Sequence, residues 1–244
     1  MKFAILFLIL ANPNRLSHLP SFEGWIVWNV GQGQWVTHVQ GETCTHFDMG
    51  GEVSPLKRVL RMCVFRRNKI YLSHDDQDHT RFVSSFLNHD SEACLGHKIY
   101  FREHTKSGRS LRAIKLCPDT APGIHQLFKP LQQNKQNNRN SLVFWSDQVL
   151  LPGDSTRTEE KTWALNLKIP QTRIWLLGHH GSASSTSKLL LERLPNSALA
   201  VASSRRAKYN HPHPRVIQSL RQKKMPLILT EEWGHLMFER KRKN

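Results

Sequence analysis

Three polar clusters in this chain each follow directly on a short apolar run. Residues 70–72 lead into Ser73-His74-Asp75-Asp76-Gln77-Asp78-His79, residues 148–151 into Pro152-Gly153-Asp154, and residues 174–177 into Gly178-His179-His180-Gly181. Apolar runs this short read as buried strands. The ends of neighbouring strands deliver side chains from distant parts of a chain to one edge of a sheet, where a rigid scaffold can assemble a site. The pattern therefore asks for a sheet-based fold with these three ends side by side.

The rest of the sequence agrees with strands interleaved by helices. Residues 25–30 are rich in aromatic and branched side chains and stop at Gly31-Gln32-Gly33; residues 35–39 and 45–47 continue a meander closed by Asp48 and Gly50-Gly51. Val53, Leu56, Leu60 and Val64 recur at helical spacing with Lys and Arg between them, which predicts a helix with a basic outer face over residues 53–65. Further helices are expected over 82–87, 187–194 and 214–223, the last opened by Pro214. Strands are expected over 98–101, 199–202, 227–229 and 236–238, with a hairpin of 141–145 and 148–151 turning at Ser146-Asp147. Residues 119–139 read as irregular, with an Asn/Gln-rich surface loop at 132–139.

Charge narrows the partners. Lys and Arg number 35 against 19 Asp and Glu, a formal net charge of +16 in 244 residues. Such an excess attracts polyanions by steering and counterion release, nucleic acid first and an anionic membrane surface second. The four cysteines, Cys44, Cys63, Cys94 and Cys117, form no C-x-x-C pair, so a thiolate zinc site is not expected; their spacing leaves any disulfide pairing open. Met1-Lys2 followed by apolar residues 3–11 resembles an export signal or weak anchor, with a first buried strand as the alternative. No dinucleotide cofactor is expected.

His74, Asp76, Asp78 and His79 place four candidate ligands within six positions. Imidazole and carboxylate are good donors for divalent metals, and a loop entering a helix lets them converge. A polar surface turn with a helix cap is the competing reading. Asp154 competes with an ordinary turn aspartate, and His211 and His213, in Asn210-His211-Pro212-His213-Pro214, are as consistent with shaping a loop as with chemistry.

His74-x-Asp76-x-Asp78-His79 resembles the His-x-His-x-Asp-His motif of the metallo-β-lactamase superfamily with its second His replaced by Asp, the form found in the β-lactamase-like domain of ComEC-type DNA-internalisation proteins. Other segments are similar to that family in the same order: Asn29-Val30-Gly31-Gln32-Gly33-Gln34, Asp48-Met49-Gly50-Gly51, Asn140-Ser141-Leu142-Val143, Leu151-Pro152-Gly153-Asp154, Gly178-His179-His180-Gly181-Ser182, the His211 to Pro214 run and Thr230 to Gly234. The resemblance covers Trp25 to Phe238. It implies an α+β, four-layer αββα sandwich, with 1–22 as signal or anchor plus linker, 23–240 as the domain and 241–244 as a basic tail.

The resemblance further implies one or two divalent cations, zinc or manganese with magnesium also compatible. His74 and Asp76 would hold the first, Asp78 and His79 the second, and Asp154 would bridge. His179 would complete the second set, with His180 as its competitor. Asp78, Asp154, His211 and His213 are the implied catalytic candidates, the last two as contacts to a scissile phosphate. Three functions follow as expectations: a nuclease or phosphodiesterase acting on single- or double-stranded DNA, in concert with a membrane uptake channel; a hydrolase of a small ester or lactone; and a nucleic-acid-binding module with weakened catalysis. The last is motivated by Asn29 and Gln34, which stand where the family carries Asp. Asn140 stands nearest the usual third-strand histidine and is a poorer ligand, which implies a weak first metal site. The expected location is exported or membrane-associated, with the cytoplasm as alternative.

Overall fold

The computed structural model describes residues 22–99, 111–119, 123–130, 136–166 and 171–240. The expected N-terminal apolar segment through residue 21, the basic tail 241–244 and residues 100–101 and 132–135 lie outside them. Two six-stranded sheets form the centre. The first takes the order β12-β1-β2-β3-β4-β5, with β1 (Gly24–Val27), β2 (Trp35–Gln40), β3 (Thr43–Met49), β4 (Arg67–Tyr71), β5 (Cys94–Leu95) and β12 (Leu236–Glu239). The second takes the order β11-β10-β9-β8-β7-β6, with β6 (Ile124–Phe128), β7 (Val143–Ser146), β8 (Val149–Leu151), β9 (Ile174–Leu176), β10 (Leu199–Ala202) and β11 (Leu227–Leu229). Each is mixed: β3, β4 and β5 run parallel in one, and β8 to β11 run parallel in the other.

Three separate apolar clusters prove the four layers. Trp25, Val27, Val36, Phe47, Phe144, Leu151, Leu176 and Phe238 come from both sheets and fill the space between them. A second cluster packs the outer face of the first sheet, through Ile26, Trp28, Trp35 and Ile70, against Val59 and Met62 of α1 (Leu56–Cys63) and Val83 and Phe86 of α3 (Val83–Leu87). A third packs the outer face of the other sheet, through Leu150, Trp175 and Ala200, against Trp163 of α4 (Arg157–Asn166), Leu190 of α5 (Lys188–Arg193) and Val216 and Leu220 of α7 (Pro214–Gln222). The period-2 alternation of the strands is thus used twice, each face meeting a different apolar layer. Trp28, Trp35, Trp163 and Trp175 are fully buried; each removes roughly 200 Å² from water, about 5 kcal/mol before entropy is counted. Short helices α2 (Gln77–Thr80), α6 (Arg206–Tyr209) and α8 (Thr230–Trp233) also form.

The predicted helix over 53–65 forms as α1 with Lys57, Arg58 and Arg61 outward, as expected, but only between residues 56 and 63. Residues 98–99 are not strand. The segment read as irregular contains β6, an edge strand, and the stretch read as a surface loop ends in a 3-10 turn, Asn137–Asn140, with Asn140 buried. Both cystines form, Cys44–Cys63 and Cys94–Cys117, one tying β3 to α1 and the other holding β5. No helix among the described residues is long and apolar enough to cross a membrane.

Candidate metal centre

Every polar cluster sits at the C-terminal end of a strand, and these ends open at one edge of the sandwich. The loop after β4 supplies His74 and Asp76, and α2, which follows it, Asp78 and His79; the loop after β8 supplies Asp154; the turn after β9 supplies His179 and His180. Two glycine turns from the first sheet press on the Asp78–His79 backbone. A Cβ at Gly33 (φ +142°) would lie 2.8 Å from the Asp78 carbonyl oxygen, and one at Gly50 2.2 Å from its carbonyl carbon. Only glycine permits that approach, which Gln34 N–H secures by donating to Asp78 O at 2.9 Å.

Asp154 stands at the centre. Its Oδ1 lies 3.0 Å from His79 Nε2 and 3.6 Å from His180 Nε2, while its Oδ2 lies 3.9 Å from His74 Nε2 and 3.7 Å from His179 Nε2. Asp78 Oδ2 is 3.2 Å from His180 Nε2, and Asp76 Oδ2 is 3.4 Å from His74 Nε2. Asp78, His79, Asp154 and His180 each offer an atom within 4.8 Å of all the others. His180, rather than His179, completes this group. His179 and His180 both have left-handed backbone (φ 49° and 55°), but His180 is buried while His179 is partly exposed and is hydrogen-bonded to Ser184 Oγ and to the Asn138 side chain.

The hydrogen-bond partners settle which ring nitrogens face inward. His180 Nδ1–H donates to Ser203 O at 3.0 Å, and His79 Nδ1–H to Asp48 Oδ2 at 2.7 Å. Ser73 has one hydroxyl proton, and the Asp48 carboxylate can only accept it, at 2.9 Å. Ser73 Oγ is then an acceptor for His74 Nδ1–H at 3.0 Å. All three rings thus turn Nε2 toward Asp154. His74 Nε2, His79 Nε2 and Asp154 Oδ1 are buried yet have no hydrogen-bond partner. Close approach without hydrogen-bond direction, by three buried polar atoms in one place, is what a cation site requires.

Charge reinforces this. Burial alone would raise the Asp154 carboxyl, but the His79 and His180 rings hold it well below the ordinary value. Burial would also raise Asp78, and His180 and His79 overcome it. Burial disfavours a charged His79, yet Asp154 and Asp48 on either side push its pKa well up. A cation at Nε2 would take the place of that proton.

Asp48, which the sequence marked only as part of a similar segment and not as a site residue, underpins the group. At the end of β3, with φ 54°, it accepts from His79, from Ser73 N–H at 2.7 Å and from Gln34 Nε2–H at 2.8 Å. Its position before two glycines was the available signal. Gln34 therefore serves Asp48 as a donor, where a carboxylate would repel it. Asn29 accepts from Gly31 N–H within its own turn. Neither Asn29 nor Gln34 is a member of the compact donor group. His213 does not join the compact group: its Nδ1 accepts from Arg215 N–H and caps α7, a structural role of the kind its loop-shaping reading expects. His211 does lie at the centre's rim, its ring 6.2 Å from that of His179.

In comparisons with known proteins, no family model matches the chain. Curated relatives include ComE operon protein 3 of Bacillus subtilis, 23% identical over 189 residues and 70% of this chain, and Recombination protein 2 of Haemophilus influenzae, 30% identical over 179 residues and 69% of this chain. The chain spans 24% and 22% of their respective lengths. Among solved structures, the metallo-β-lactamase fold protein YhfI of Bacillus subtilis is similar at 11% identity and TM-score 0.48, over 85% of this chain and 96% of that one. A diphosphatase from the PhnP family is similar at 13% identity and TM-score 0.49, over 84% and 94%. The two sequence relatives, the sandwich topology and the donor arrangement agree with the motif resemblance: this chain has the metallo-β-lactamase fold and is similar to the ComEC-like side of that superfamily.

Proposed function

We propose that this domain is a metal-dependent phosphodiesterase acting on DNA. The observation that carries the reading is the Asp154 carboxylate, whose two oxygens face two different sets of donors. Asp78, His79, His180 and Asp154 Oδ1 would hold one divalent cation. His74, Asp76 and Asp154 Oδ2 would hold another more loosely, since they do not form a group as compact as the first. Bound there, such cations activate water and neutralise charge developing on phosphate oxygens. Asp48, Ser73 and Ser203 hold the rings in register, and His211 stands beside them to contact the substrate.

A net charge of +16 supports a polyanionic substrate; a neutral ester or lactone needs no such background. Two cystines support an exported location. A role beside a membrane DNA-uptake channel is part of the same proposal, suggested by the motif resemblance to ComEC-type DNA-internalisation proteins. The test is incubation of metal-free protein with labelled single- and double-stranded DNA, adding manganese, magnesium or zinc in turn. Cleavage that depends on added metal is expected. Tight metal binding with no cleavage of either substrate refutes the reading.

A further inference from the structure

Gln32 lies between Gly31 and Gly33 in the first glycine turn, and it is 8% exposed. Its backbone N–H donates to Glu52 Oε2 at 3.1 Å. Glu52 also accepts from Arg205, Lys208 and Tyr209, so it ties this turn to the 205–209 segment that leads into His211. The side-chain amide of Gln32 spans the same gap. Its Oε1 accepts from Arg205 N–H at 3.1 Å, and its Nε2 lies 3.1 Å from His211 Nδ1.

The direction of this last hydrogen bond follows from the first. A backbone N–H can only donate, so the amide atom facing Arg205 N is the oxygen. The amide nitrogen then faces His211, and an NH₂ group can only donate. His211 Nδ1 must accept. A neutral His211 therefore carries its one ring proton on Nε2, and among the described residues that Nε2 has no hydrogen-bond partner. The ring stands at the rim of the metal centre, next to His179.

We propose that Gln32 is a positioning residue that holds His211 as an Nε2–H donor to an anionic oxygen of the substrate. This rests on the phosphodiesterase reading and adds to it the direction of the contact. A ring of the opposite tautomer would present a lone pair to a phosphate oxygen and repel it. Donors fixed toward developing negative charge need no reorganisation during reaction, which is where they gain their effect.

The experiment uses zinc-loaded protein labelled with ¹⁵N at histidine. Long-range ¹H–¹⁵N spectra report which ring nitrogen carries the proton, and His211→Gln identifies the His211 signals. In the wild type the proton is expected on Nε2, with Nδ1 bare. Gln32→Glu keeps the acceptor for Arg205 N–H but removes the donor to His211, so Nδ1 should gain a proton. At about pH 9, where the ring is neutral, Gln32→Glu should lower kcat on DNA roughly 100-fold, the scale of losing one oriented donor, with KM little changed and metal content equal. A wild-type ring protonated on Nδ1, or a Gln32→Glu spectrum identical to wild type, overturns the positioning role. Equal kcat in the two proteins overturns the substrate contact. A wild type that binds metal but cleaves no DNA overturns the phosphodiesterase reading instead, and the spectra still decide the Gln32–His211 pairing.

Discussion

His46 should make the fold acid-sensitive by an amount that one substitution isolates. The ring is fully buried on the outer face of the first sheet, and its pKa is lowered from 6.5 to about 4 by burial, against opposing effects of Asn68 and Asp90. Both nitrogens are committed as those of a neutral ring. Trp35 Nε1–H donates to Nδ1 at 3.3 Å, the Thr37 hydroxyl lies 3.0 Å from the same atom, and Nε2–H donates to Asn68 Oδ1 at 3.0 Å. A second ring proton would set donor against donor at Nδ1. An unfolded chain takes up that proton near the ordinary value, the folded one only near pH 4. The ring's contribution to stability is therefore complete above about pH 7 and is lost as pH falls through 6.5 toward 4. At about pH 5 the difference in proton uptake amounts to about 2 kcal/mol. His46→Gln removes the titration while keeping an amide that can accept and donate. Urea unfolding followed by tryptophan fluorescence, at steps from about pH 8 to pH 5, measures both proteins. The variant should start less stable and then lose about 2 kcal/mol less than wild type over that range. His38 and His97, also lowered to about 4 by burial, titrate in both proteins and cancel in the difference. Parallel stability curves would refute the reasoning.

Asp154→Asn should reduce DNA hydrolysis about a thousandfold or more, because an amide cannot supply charge to both donor sets; full activity in a nuclease-free preparation would remove it from the centre. Asp48→Asn should weaken metal binding about ten- to a hundredfold in a chelator competition, the usual loss when the partner of a ligating histidine is altered. Reduction of Cys44–Cys63 or Cys94–Cys117, which close loops of 19 and 23 residues' separation, should each cost about 3 kcal/mol, read as a lower urea midpoint; an unmoved midpoint contradicts the loop-entropy argument. DNA affinity should fall steeply with salt through counterion release, and a flat dependence would count against nucleic acid as substrate.

The elements legible in the sequence are those whose own side chains carry a period. The strands from β1 to β4 and from β7 to β10 show apolar runs or alternation; α1 was legible as a helix, but its buried side is Val59, Met62 and Cys63, while Val53 and Val64 of the expected stripe lie outside it and are exposed. Helix α4 was illegible because its deeply buried apolar residues, Trp163 and Ala164, are adjacent and make no repeat at helical spacing. Strand β6 lies at a sheet edge with a register shift between Gln126 and Phe128, and β5 has two residues held largely by its neighbours. At the candidate centre, ligand types were legible from spacing, whereas ring orientation was not. The choice of His180 over His179 depends on Ser203 O, Ser184 and Asn138, which the fold brings in from elsewhere in the chain. His213 reads as a helix cap once Pro214 is seen as the first residue of α7.

The first sheet is completed by the last of the described strands. β12 pairs with β1, Gly24 facing Glu239 and Val27 facing Leu236, although more than two hundred residues of chain separate them. The donors at the edge are likewise divided, His74 to His79 from one sheet and Asp154 and His180 from the other. The candidate centre therefore closes only where both sheets have docked. The compact donor group is thus a property of the docked sandwich, and neither sheet alone carries it.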